Sequence, residues 1–194
     1  MLDKSVPYID VMMKRMTGTE IPEFPLPEGY SFELFQSGDE KHWAQIEAAA
    51  DEFASPIDGL LYFQREFLPY SRELVRRCVF AKSPEGEYVG TATAWWDYAA
   101  DGKRHPWLHW VAVKPAHQNR GIGKAIVSKT IRLLYDIEGD FRDYYLHTQT
   151  WSHVAIGIYE KCGFFVTDEK NLGHCANDRY KEAIAVLKTI REGK

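Results

Sequence analysis

The chain has no apolar run approaching the roughly 18 residues of a membrane-spanning helix, and Met1-Leu2-Asp3-Lys4 carries no apolar leader segment. A cytoplasmic protein without a membrane partner is the expectation. Cysteine is scarce. Cys78, Cys162 and Cys175 form neither an even disulfide set nor a metal-ligand spacing, which suits a reducing compartment. His105, His117, His147, His153 and His174 follow no zinc-binding pattern, so no metal is expected. Positive charge is not in excess, and the formal net charge of −4 argues against nucleic acid as the main partner. There is no repeat and no low-complexity tract. A length of 194 residues suits one domain with a substantial core.

What the chain does have is a strand–turn–helix signal in its middle. An apolar run over 107–113 closes at Lys114-Pro115. His117-Gln118-Asn119-Arg120-Gly121-Ile122-Gly123-Lys124 follows, and then an amphipathic stretch to 137 with Ile122, Ile126, Leu133 and Ile137 on its apolar side. Such a turn gathers free backbone N–H groups at the positive end of a helix dipole, where an anion such as a pyrophosphate binds. Gly121 and Gly123 carry no Cβ, so a ligand can approach the backbone. Two phosphate loops do not fit. The P-loop needs Ser or Thr after its Lys, and Lys124 precedes Ala125; the Rossmann fingerprint needs three glycines and a distant acid.

Along the rest of the chain, residues 6–16 alternate weakly and suggest a strand. Residues 20–29, with Pro22, Pro25 and Pro27, suggest an extended connector. A strand is expected over 30–35. A helix should follow, carrying Trp43, Ile46, Ala50 and Phe53, with Ser37 and Glu40 as its capping box and Pro56 at its end. Asp58 would cap a second helix, stopped by Pro69, and a short helix fits 71–77. Strands over 78–82 and 88–96, joined by a turn at 83–86, lead through Asp101-Gly102 into the 107–113 strand. Then come a strand over 144–150, a helix over 153–162 with Ser152 and Gly163 as caps, and a short strand over 164–167. Asn177, the spacing of Tyr180, Ala183, Ile184, Leu187 and Ile190, and Gly193 predict a final helix.

Leu108-His109-Trp110-Val111-Ala112-Val113-Lys114-Pro115 through Gly123 resembles the acetyl-CoA-binding motif of the GNAT superfamily of N-acetyltransferases. Ala155, Tyr159 and Gly163-Phe164 fit the same family, and the element order over about 30–167 is that of its fold. The resemblance implies an α/β (α+β) fold with a central mixed, mostly antiparallel sheet flanked by helices. Residues 1–29 would be an N-terminal strand and connector and 30–194 the acetyltransferase domain, one domain in all. The C-terminal helix departs from the family, whose chains usually end in a seventh strand. Residues 6–16 or a partner chain would then fill that strand's place.

The resemblance also implies chemistry. Acetyl-CoA would be the acyl donor. Main-chain groups at Val111 and Val113 would bind its pantetheine arm, and Gln118, Asn119, Arg120, Gly121, Ile122, Gly123 and Lys124 would hold its pyrophosphate. Tyr159 stands where many members place the acid that protonates the departing thiolate; the alternative is a tyrosine packed on its helix. Ser152 replaces a cofactor-contacting Asn and is equally a simple helix cap. A base found in some members as Glu is absent, since Trp107 stands near the start of the strand. His109 resembles a histidine implicated in proton removal in arylalkylamine N-acetyltransferases, and strict alternation would put it on the same face as Val111. A buried histidine bonded to a carbonyl is the alternative. Glu47, Asp51, Glu52, Asp58 and Asp97 are further candidates to take a proton or attract an amine. Phe53, Phe63, Phe67, Trp95, Trp96, Tyr98 and Trp151 are candidates for the acceptor pocket. The implied reaction is acetyl transfer to a primary amine of a small molecule by direct attack. A protein or peptide amine, or a non-catalytic acyl-CoA sensor, are the alternatives. Homodimers are common in the family.

Overall fold

The computed structural model describes residues 2–193. Its strands are β1 (Asp10–Arg15), β2 (Ser31–Leu34), β3 (Cys78–Lys82), β4 (Tyr88–Tyr98), β5 (Arg104–Val113), β6 (Tyr144–Gln149) and β7 (Phe165–Val166). Its helices are α1 (Glu40–Ala49), α2 (Pro56–Glu66), α3 (Ser71–Arg77), α4 (Ile122–Glu138), α5 (His153–Lys161) and α6 (Tyr180–Glu192). The strands form one seven-stranded sheet in the order β2-β3-β4-β5-β6-β1-β7. Every neighbouring pair is antiparallel except β5 with β6. This is the expected mixed, mostly antiparallel sheet flanked by helices, with a C-terminal helix.

The N-terminal strand is the main departure in topology. β1 lies between β6 and β7, with Met12 opposite His147 and Met13 opposite Val166. The N-terminal segment therefore fills the place of the family's last strand, and residues 183–190 are helical. The weak alternation of β1 has a physical cause: both faces of an interior strand are covered. Ile9, Val11 and Met13 pack into a core shared with Ile126 of α4, Ile156 of α5 and Leu187 of α6. Met12, on the other face, packs against Trp107 and Tyr145. All four side chains are buried. At about 1.5–3 kcal/mol for each buried apolar side chain, β1 and the Ile9 that precedes it are a large contributor to the fold. A second core, with Trp43, Phe63, Phe67 and Leu74, fills the space under α1, α2 and α3.

Several helix starts differ from the sequence reading. Ser37 does not cap α1. Asp39 Oδ2 accepts from Gln36 N, and Glu40 Oε2 accepts from Gly38 N, each at 2.9 Å. Asp51, at φ 67°, turns the chain out of α1 before Pro56, which begins α2. Ser55, not Asp58, caps α2: its Oγ accepts from Asp58 N and donates to Asp58 Oδ2. Ser152 precedes α5 without a side-chain capping bond; its hydroxyl accepts from Gln149 Nε2 at 3.1 Å. Asn177 does not cap α6. Its buried amide donates to the carbonyls of Thr167 and Glu169, pinning the loop after β7.

Two irregularities in β5 make room for a site. The parallel ladder between β5 and β6 is a single pair, Trp107 with Tyr145, beyond which the strands diverge. Between the pairs Thr93–His109 and Thr91–Ala112, β5 also carries one residue more than β4. Trp110 takes up this bulge at φ 50°, a conformation that costs a bulky residue energy. The bulge breaks the alternation. Trp110 and Ala112 join the core under α1 and α2, whereas Val111 and Val113 pack toward α4. His109 therefore does not share a face with Val111 as alternation predicted.

Candidate active site

Where β5 and β6 part, two cavities open and meet. The larger, about 660 Å³, lies on the α1–α2 side; the smaller, about 230 Å³, lies over the start of α4. Glu52, Val111, Ser152, Ala155 and Tyr159 line both.

The smaller cavity collects most of the residues expected to hold the donor. Val111, Val113, Gln118, Asn119, Gly121, Gly123, Lys124 and Ser152 all line it, with Lys161 added from α5. The turn has a tight backbone and a helix start that gathers amides. Asn119 and Gly121 take φ values of 61° and 89°, so the backbone reverses tightly ahead of α4. The amides of Ile122, Gly123 and Lys124 precede the helix's first bond, Ala125 N to Gly121 O at 3.2 Å. Gln118 Nε2 donates to the Val113 carbonyl at 2.8 Å and ties the turn to the strand end. A Cβ at Gly123 would lie 3.2 Å from Ile158 Cδ1, so this glycine lets α5 pack against α4. Two expected residues contribute differently. Ile122 buries its side chain in the core, leaving its amide to the turn. Arg120 reaches away to Tyr30 Oη at 3.3 Å, beside His117.

Tyr159 stands at the junction and is buried. Burial holds its phenol above the ordinary range, and the charges of Glu52 and Glu47 push the same way. The hydroxyl therefore keeps its proton across the physiological range. Cys162, one turn away, is fully buried, and burial pushes its thiol up to about 11. That thiol is a poor nucleophile.

The larger cavity holds the titratable groups. Glu47 is fully buried, and neither carboxylate oxygen has a hydrogen-bond partner. Burial raises its pKa well above the carboxylate range, and the charge of Glu52 adds to this. His109 also faces this cavity. Its Nε2 is buried without a partner, and burial pushes its pKa down to about 3. Asp51, Glu52 and Asp97 line the cavity; Asp58 does not, being engaged with Ser55 at the start of α2. Among the expected aromatics, Phe67, Trp95, Trp96 and Trp151 line it. Phe63 is core, Phe53 stacks on Trp110 with centroids 5.3 Å apart, and Tyr98 is exposed.

Sequence reasoning missed Tyr8, Tyr62, Glu66, Trp107, Trp110, His147 and His174, which also line the larger cavity. Only Trp110 and Trp107 had a signal, their place in the motif strand. The others arrive from the segment before β1, from α2 and β6, and from the loop after β7.

A strand pair that parts beside an amide-rich helix start is the feature expected of an N-acetyltransferase. Comparison with known proteins agrees: residues 32–164 match the model of the acetyltransferase (GNAT) family, and the chain belongs to that family. Over 166 residues it is 30% identical to a mycothiol acetyltransferase of Streptomyces coelicolor, covering 83% of this chain and 50% of the relative. A GCN5-related N-acetyltransferase from Sphaerobacter thermophilus shares the fold with a TM-score of 0.64 at 22% identity, covering 84% of this chain and 49% of that one. A GNAT-family acetyltransferase from Colwellia psychrerythraea does so with a TM-score of 0.60 at 11% identity, over 83% and 54%. The chain thus spans about half the length of these relatives. None of its described helices is long and apolar enough to cross a membrane.

Proposed function

We propose that the chain is an acetyl-CoA-dependent N-acetyltransferase, working in the cytoplasm, whose acceptor is the primary amine of a small cationic molecule. The observation that carries the acceptor class is the acidic lining of the larger cavity. Glu47, Asp51, Glu52, Glu66 and Asp97 line it, and among the described residues no Lys or Arg does. Aromatic walls suit a cation as well. A volume of about 660 Å³ lies within the usual range for small-molecule sites. The similarity to a mycothiol acetyltransferase supports a small acceptor too.

Acetyl-CoA would run its pantetheine along Val111 and Val113 and set its pyrophosphate on the amides around 119–124, with Lys124 and Lys161 nearby. Its thioester would then lie beside Tyr159 and Ser152, where the cavities meet. The amine attacks the thioester carbon directly, and Tyr159 donates its proton to the departing thiolate. Before attack the ammonium must lose a proton. His109 was the sequence candidate for this step. A histidine with a pKa near 3 is a weak base, whereas a carboxylate made more basic by burial is a stronger one. Proton removal therefore falls first to Glu47, with neutral His109 as a hydrogen-bond partner of the amine. The test is thiol release from acetyl-CoA against aliphatic, aromatic and polyamine acceptors, set beside short peptides. Turnover with a small cationic amine is the expected result. Turnover with peptides alone would overturn the small-molecule reading.

A further inference from the structure

The loop after β7 brings a second kind of chemistry to the rim of the acceptor cavity. Asp10 of β1, His147 of β6 and Cys175 of this loop place one donor atom each within 4.8 Å of one another. They come from three separate stretches of chain. His147 Nε2 lies 3.1 Å from Asp10 Oδ1. Around a tetrahedral zinc ion, with bonds of about 2.0–2.3 Å, neighbouring ligand atoms stand roughly 3.3–3.7 Å apart. Small side-chain rotations therefore suffice to close the set. His174, next to Cys175, has its ring centroid 4.9 Å from that of His147. Its Nδ1 lies 3.4 Å from Asp97 Oδ2, which leaves Nε2 for another partner. A carboxylate on the far nitrogen is how a ligating histidine is commonly oriented.

The loop is seated, not draped. Gly173 stands at φ +57°, and a Cβ there would lie 2.6 Å from Asp97 Oδ2 and 3.0 Å from Trp107. Leu172 and Cys175 form a bridge, and both pack against Met12, Trp107 and Tyr145. Cys175 is consequently held beside His147 and Asp10.

We propose that Asp10, His147 and Cys175, completed by His174, form a site for a divalent transition-metal ion of the zinc class. The donor set of thiolate, imidazole and carboxylate is the one zinc takes. On coordination the Cys175 thiol gives its proton to solvent. The ion would join β1, β6 and the 171–176 loop. His147 and His174 also line the acceptor cavity, so the ion would stiffen one wall of it. This site stands apart from the acetyl-transfer reading, and binding can be tested without turnover.

The experiment titrates chelator-treated protein with zinc by calorimetry and with cobalt(II) by absorption. One equivalent of zinc should bind, and cobalt should give a thiolate-to-metal charge-transfer band. Cys175→Ser should lose the band, and His147→Ala should lose at least about tenfold in affinity, since outer-shell partners alone are worth that much. Zinc should raise the melting temperature of the parent and not of Cys175→Ser, whose metal-free melting temperature checks that it folds. Absence of saturable zinc binding to the parent would overturn the proposal. So would a cobalt spectrum unchanged in Cys175→Ser, which would place the ion elsewhere.

Discussion

Replacing Glu47 by Gln should make the protein more stable and far less active. The carboxylate is fully buried and its oxygens have no partner. Its folded pKa is raised well above the ordinary 4.5. Between those two values the folded state binds the proton that the unfolded chain has released, so stability falls as pH rises through that window. Below the ordinary value ionisation adds no penalty; above the raised value that penalty is complete. Each pH unit in the window is worth about 1.4 kcal/mol. Gln keeps the shape and removes the charge. At pH 8 Glu47→Gln should therefore gain about 1–3 kcal/mol, an increase of roughly 2–4 °C in melting temperature per kcal/mol for a chain of this size. At pH 4 the gain should vanish. Thermal unfolding of both proteins across this range measures it. Activity should move the other way. kcat/KM should fall by about 10²- to 10⁴-fold at pH 8 through loss of the base. The ascending limb of the parent's pH profile, set by the raised carboxyl, should disappear, whereas His109→Ala should keep that limb. A variant less stable than the parent at pH 8, or one with full activity, would refute the reasoning.

Other outcomes follow from the same geometry. Tyr159→Phe should cut kcat by about 10²- to 10⁴-fold while leaving CoA affinity by calorimetry within a small factor of the parent, because only the acid is lost. Gly121→Val should cost about 1–2 kcal/mol in chemical denaturation, since φ 89° is strained for any residue with a Cβ, and should weaken CoA binding in parallel. Asn177→Ala should cost about 1–3 kcal/mol, because the Thr167 and Glu169 carbonyls lose their donor.

Parts of this molecule were legible because their determinants are local. The glycine turn, the strand before it and the helix after it sit within one stretch of chain, and the structure places them as read. Tyr159 and Ser152 were singled out the same way, and both line the two cavities. The last helix was legible from its period, although its supposed cap, Asn177, bonds to the preceding loop. What stayed hidden depends on distant contacts. Residues 10–15 alternate weakly because both faces are buried, and nothing local says that they lie between β6 and β7. The bulge at Trp110 defeats alternation and separates His109 from Val111. Glu47 resembles any other charge on a surface helix until the sheet covers it. Asp10, His147 and Cys175 share no spacing, since only the fold brings them together.

The measurement that tests the account most directly is a single turnover with acetyl-CoA carrying isotope in its acetyl group. The protein and labelled acetyl-CoA are mixed, and a cationic amine is then added. The account predicts saturable donor binding, no label on the protein before the amine arrives, and one labelled acetyl on the amine for each thiol released. Label held on the protein would contradict direct attack, and failure to bind acetyl-CoA would contradict the assignment of the turn from Gln118 to Lys124.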